Sequence, residues 1–185
     1  MDKKTLMEKG YKETVNKVSI ETACKKGLVI VLPIIILLVI IYVLVRGGYD
    51  FFANPWKDYF IVFGIFIVGF LLHELIHILS FKLLGEKGKY EFSFDNNYLK
   101  PYCRSEEPIK VNMYRICKGL PLLITGIIPY CISIITGSML LMIASVILIG
   151  FCGVDIYILL GLTKVKGYSY ILDDEYSYGY SILKK

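Results

Sequence analysis

Histidine is scarce in this 185-residue chain, which has two, so a metal-ligand pattern that uses both is informative. There is one tryptophan, and the six prolines are too few for a collagenous or proline-rich segment. The five cysteines, Cys24, Cys103, Cys117, Cys131 and Cys152, are odd in number and show no CxxC spacing, which argues against a disulfide framework and a thiolate zinc site. They read as reduced, small apolar residues. No internal repeat or low-complexity tract occurs. No cleavable signal peptide is expected, because the first apolar run arrives after 27 mostly polar residues and is too long for a signal core. The 21 lysines and arginines leave a net charge of +5 without gathering into one stripe, which excludes a nucleic-acid partner.

What the chain does have is apolar length. With 56% hydrophobic residues and a mean hydropathy of +0.60 it exceeds an ordinary soluble domain, and its size suits one domain. Leu28–Val45 is an unbroken run of 18 apolar residues, enough to cross a hydrocarbon core of about 30 Å. Further spans are expected at Tyr59–Leu84, Leu120–Ile135 and Met139–Thr163. Pro121, Gly126 and Pro129 predict that the third is kinked, with neighbours satisfying the carbonyls that proline frees. The expected fold is therefore an all-α membrane protein. Residues 1–27 form a solvated cytosolic helix or tail, residues 28–164 a four-helix membrane domain, and residues 165–185 a cytosolic tail.

Between spans two and three, in the segment 85–118, Tyr90, Phe92 and Phe94 alternate with Glu91, Ser93 and Asp95 before Asn96-Asn97 and Tyr98-Leu99. Period-two alternation ending at an asparagine pair predicts a small cytosolic β-hairpin. By segment, lysine plus arginine number seven before the first span, two in the first loop, eight in the second with Lys82 at the end of its preceding span, none in the third and four in the tail. The positive-inside rule then places both termini and the hairpin in the cytoplasm, for a multi-pass protein of the cell membrane.

Both histidines fall in one stretch of the second span, Gly69-Phe-Leu-Leu-His73-Glu74-Leu-Ile-His77. Residues i and i+4 share a helix face, so His73 and His77 can offer two imidazoles to one Zn2+ ion with Glu74 beside it. Two core histidines beside an incidental glutamate are the plainer reading. That reading is weak in a membrane, where ionisable groups in mid-span are costly and usually functional. Catalytic zinc sites use three protein ligands and keep one position open, so a third is needed. Asp155 is the one acidic residue in an apolar span besides Glu74. His73 lies nine residues before Lys82 and Asp155 nine before Lys164, which puts both about 13 Å below the first cytoplasmic lysine. A carboxylate at that depth is stabilised by a divalent cation, so His73, His77 and Asp155 are the expected ligands. Asp95, Glu91 and Asp173 are weaker alternatives. Glu74 is expected as general base, not ligand, and Gly69 as a place of close approach.

This order of spans and motifs resembles the small bacterial four-span membrane family named putative zincin peptidases. The resemblance is carried by His73-Glu74-Leu-Ile-His77 on the second span, Pro101-Tyr-Cys103, Glu107-Pro108, Tyr114-Arg115-Ile116, Pro121 and Pro129, and Gly153-Val-Asp155 on the last. It implies a zinc peptidase. The chain is similar, more distantly, to site-2 intramembrane proteases, but lacks the Asn-Pro-Asp-Gly motif that supplies their third ligand. The expected function is zinc-dependent hydrolysis of peptide bonds near the cytoplasmic side of the membrane. The expected partners are lipid and a membrane protein or peptide substrate bound along Tyr90–Leu99. The alternatives are a non-catalytic metal-binding membrane protein, or an adaptor with a relic motif.

Overall fold

The computed structural model describes residues 2–47, 55–84, 90–95, 100–105, 107–174 and 179–185, the side chains of 55, 90–95 and 100–105 excepted. The chain opens with a short helix α1 (Lys3–Glu8) and a strand β1 (Lys12–Asn16). Helix α2 (Ile20–Arg46) follows, started by Ser19, whose hydroxyl accepts from the Thr22 N–H at 3.2 Å. It thus begins eight residues ahead of the apolar run, and Lys25 and Lys26 lie on its first turns. Helix α3 (Pro55–Leu84) begins on proline, whose missing N–H costs nothing in a first turn, and ends beyond Lys82. Strands β2 (Tyr90–Asp95) and β3 (Lys100–Ser105) form an antiparallel hairpin whose backbone lies against α3. The return strand starts at Lys100, and Tyr98 and Leu99 fall outside the described residues.

After β4 (Ile109–Lys110), helix α4 (Val111–Pro121) runs through a π-helical turn (Leu122–Ile127) into α5 (Ile128–Thr136). The expected proline disturbance is thus taken up as a widened turn. Gly137, at φ +75°, ends α5 in the left-handed conformation that glycine adopts without strain. Helices α6 (Met139–Phe151) and α7 (Gly153–Leu162) make a pair bent by 51°. One continuous fourth span was expected, and the break has a local cause. The Cys152 N–H is shared among the carbonyls of Leu148, Ile149 and Gly150. At the same point the Gly153 and Gly27 backbones touch: a Cβ on Gly27 would lie 2.6 Å from Gly153 C.

Strands β5 (Tyr170–Asp173) and β6 (Tyr180–Lys184) close the chain. With β1 and β4 they form an antiparallel sheet in the order β1-β6-β5-β4. The fold is therefore mostly helical with two small sheets, not all-α, and residues 1–27, expected as a solvated helix or tail, hold the helix α1, the strand β1 and the first turns of α2. The pairs Glu8 with Lys12 and Glu13 with Lys17 suit a helix, but Lys12–Asn16 has a longer-range alternative in β6, and pairing overrides propensity. Leu6, Ile171 and Leu183 are wholly buried at this end.

Helices α2, α3 and the run Val111–Thr136 are each long and apolar enough to cross a membrane, and the bent pair α6–α7 makes a fourth candidate. Their outward residues, among them Leu44, Phe60 and Leu83 at 79%, 73% and 80% exposure, would be untenable in water and suit lipid. This is the composition of a multi-pass membrane protein. One core, around Phe81, Tyr114, Cys117, Ile158 and Ile171, sits at the sheet end, and a second, around Tyr42, Tyr130 and Met142, sits elsewhere along the helices.

Candidate metal centre

Helix α3 carries His73 and His77 one turn apart, and their rings stand edge to face with centroids 4.8 Å apart. The first turn of α7 brings Asp155 to them. Its Oδ2 lies 3.4 Å from His73 Nε2 and 3.3 Å from His77 Nε2. All three residues are buried, and among the described residues this is the group whose ligand atoms, within 4.8 Å of one another, could hold a metal ion. The two residues placed at one depth by counting from their lysines are therefore neighbours in space.

The two distances from Asp155 to the histidines are long for a hydrogen bond and match the spacing of ligand atoms around zinc. A charge-assisted N–H···O bond is about 2.7–2.9 Å long, whereas arms of about 2.0–2.2 Å at the tetrahedral angle set ligand atoms about 3.3–3.5 Å apart. Two imidazoles and a carboxylate are also a donor set that zinc accepts, with a fourth position left for water. The residues present fit the ion.

Both rings are held from behind. His77 Nδ1 lies 3.1 Å from the Cys117 carbonyl, which can only accept, so Nδ1 carries the hydrogen and Nε2 presents a lone pair. His73 Nδ1 lies 3.6 Å from Cys152 Sγ, whose own S–H donates to Leu148 O at 3.3 Å. The sulfur therefore accepts from His73, with the same result for the ring. Asp155 is held at its other oxygen by Lys118 Nζ, 3.5 Å from Oδ1. The first turn of a helix favours a carboxylate, which adds to this. The Lys118 ammonium sits over the rings of Phe81 and Tyr114, at 6.0 and 5.9 Å from their centroids. Glu74 is half-buried, beside His73 on the same helix.

Packing places these groups. Gly69 leaves room for the Leu148 side chain, so its small size serves the contact between α3 and α6. Phe66, Phe70 and Phe151 cluster between the same two helices, with centroids 5.2 Å apart for Phe66–Phe151 and 5.7 Å for Phe70–Phe151. Arg115 donates to the carbonyls of Leu162 and Val165, tying α4 to the end of α7.

Of the alternative third ligands, Asp173 accepts from the Tyr114 hydroxyl and is not in the group. Glu91 and Asp95 lie on β2, where the side chains are outside the description. Lys118, Cys152 and the Cys117 carbonyl are the residues that reasoning from the sequence missed. Lys118 served there only as a topological charge, and nothing in its neighbourhood marks it as facing Asp155.

An apolar helical bundle with a buried His, His and Asp group and an adjacent glutamate defines a membrane protein of the zincin type. The chain belongs to the family described as putative zincin peptidase, whose model matches residues 66–170 and so takes in every residue of the site. No curated protein and no solved structure matches the chain.

Proposed function

We propose that this protein is a zinc-dependent, membrane-embedded metallopeptidase that hydrolyses peptide bonds near the cytoplasmic side of the cell membrane. The observation that carries the reading is the position of Asp155 Oδ2, 3.3 and 3.4 Å from the two histidine Nε2 atoms. His73, His77 and Asp155 would hold the metal. Zinc held there would polarise the scissile carbonyl and bring the pKa of water toward about 7. Glu74 takes the proton of the attacking water and passes it to the amine as the C–N bond breaks, leaving a carboxylate and a free amine. Lys118, a half-buried cation 3.5 Å from Asp155 Oδ1, stabilises the negative charge that develops on the carbonyl oxygen.

The α6–α7 pair counts as a fourth span, and both termini are cytoplasmic. The sheet β1-β6-β5-β4 supports a common side for both termini and the segment before α4, because it joins them, and the positive-inside rule makes that side the cytoplasm. A peptide bond inside a helix is already hydrogen-bonded, so a substrate must be extended before water can attack it. The β2–β3 hairpin, which lies against the helix that bears the motif, supplies an edge for that extended chain.

The test is metal content and peptidase activity of purified protein. Wild type should hold about one zinc per chain. His73→Ala, His77→Ala and Asp155→Ala should each lose most of it, and Glu74→Gln should keep it while activity drops about 10²–10⁴-fold. Full zinc and activity in Asp155→Ala would refute the ligand set. Unchanged turnover in Glu74→Gln would refute the mechanism.

A further inference from the structure

We infer that Pro121 is a positioning residue for His77: because proline has no N–H, it leaves the Cys117 carbonyl to the histidine ring and so turns Nε2 toward Asp155. The inference rests on the reading of this group as a zinc site. In an α-helix the carbonyl of residue i accepts from the N–H of residue i+4. For Cys117 that donor would be residue 121, which is proline. The next N–H along, of Leu122, goes to Gly119 O instead. The proline ring also presses on the carbonyl one turn back and tilts it away from the helix axis. A buried carbonyl in an apolar span has no water to turn to, so it needs a partner from another helix. His77 Nδ1 is that partner, at 3.1 Å, and His77 is 5% exposed.

The consequence runs both ways. The ring satisfies the carbonyl, and the carbonyl dictates the ring's tautomer and orientation. A proline on α4 thus governs a histidine on α3 that it has no need to touch. The π-helical turn that follows lets the helix resume its course, with Thr125 Oγ1 donating to Pro121 O at 2.8 Å. Pro129 provides an internal comparison. It lies on the same bent run and likewise has no N–H, but it is not the residue four places after Cys117.

The experiment compares wild type, Pro121→Ala and Pro129→Ala. Alanine at 121 restores an N–H that pulls the Cys117 carbonyl back into the helix. Pro121 is fully buried, and the packing that alanine gives up is offset by its advantage over proline in a helix interior, about 3 kcal/mol. Zinc affinity is read by competition with a chelator. The expected result is about 10–100-fold weaker binding in Pro121→Ala and wild-type binding in Pro129→Ala.

A second readout is the nitrogen spectrum of ¹⁵N-labelled histidine, which reports which ring nitrogen carries the hydrogen. Only two rings contribute, and His73→Ala assigns them. His77 should carry its proton on Nδ1 in wild type and Pro129→Ala, and the Nε2–H form should appear in Pro121→Ala. Zinc affinity within threefold of wild type in Pro121→Ala, an unchanged His77 spectrum, or an equal effect from Pro129→Ala would overturn the inference. Absence of zinc binding by wild type would instead refute the metal reading, while the nitrogen spectra would still decide the link from Pro121 to His77.

Discussion

Gly27→Ala is the substitution in which the packing of this protein speaks most directly about its site. Gly27 lies on α2, far in sequence from every candidate ligand, yet its backbone touches the start of α7 where that helix departs from α6. An alanine Cβ would lie 2.6 Å from Gly153 C, 2.7 Å from Gly153 O and 2.9 Å from Val154 N, against 3.4 Å where ordinary contact begins. The obstructing atoms are backbone, so no side chain can swing aside, and α2 and α7 must part by about 0.8 Å, the difference between 3.4 and 2.6 Å. Asp155 is the next residue after Val154. Zinc–ligand distances tolerate about 0.2 Å, so a shift of this size removes a good third ligand.

Stability should change less. Overpacking costs about 1–3 kcal/mol, and the better helix propensity of alanine over glycine returns about 0.8–1 kcal/mol. The expected outcome is at least a tenfold loss of zinc affinity, about 1.4 kcal/mol, with thermal unfolding in detergent lowered only modestly. Gly64→Ala is the control, since nothing lies within 4 Å of its Cβ, and should change neither. If Gly27→Ala unfolds earlier but binds zinc as wild type does, the clash is absorbed elsewhere and the contact does not position Asp155.

Lys118→Met should leave zinc content near wild type and lower kcat by about 10²-fold, as removal of an oxyanion donor does; a change in KM alone would refute its role. In intact cells Cys24, which is exposed, should be labelled only from the cytoplasmic side, and a cysteine introduced at the exposed Thr136 only from outside. Labelling of Cys24 from outside would invert the proposed orientation; the wholly buried Cys117 is no probe of it. Alternate residues of a strand direct their backbone groups to opposite edges, so prolines at Glu91 with Ser93, and separately at Tyr90 with Phe92, remove donors from each edge of β2 in turn. The pair on the outer edge should abolish cleavage with zinc retained, and undiminished turnover by both double variants would exclude strand addition.

The parts of this protein that depend on local chemistry were legible without coordinates. Apolar runs long enough for a bilayer mark the spans, because the backbone must satisfy itself inside lipid. The HExxH spacing puts two imidazoles on one face because the helix repeats near four residues. Asp155 could be matched to His73 by depth, since lysines mark the interface and the rise per residue is constant. The period-two alternation of Tyr90 to Asp95 announced a strand, although its partner begins at Lys100.

What was not legible depends on residues far apart in the chain. The sheet β1-β6-β5-β4 gathers three separate segments, and β1 carries charge pairs that suit a helix until β6 supplies hydrogen bonds to its backbone. The 51° bend between α6 and α7 shows in the sequence as no more than a Cys-Gly pair, and the backbone contact made there, with Gly27, comes from another helix. Lys118 reads as an interfacial charge until α4 is packed beside α7. Sequence alone therefore marked His73, His77 and Asp155 as a group that could hold a metal, through the periodicity of helices and the cost of charge in lipid. Which carbonyl, sulfur and ammonium hold the three ligands in place was decided only by tertiary packing, because those contacts join helices whose order in space no local pattern encodes.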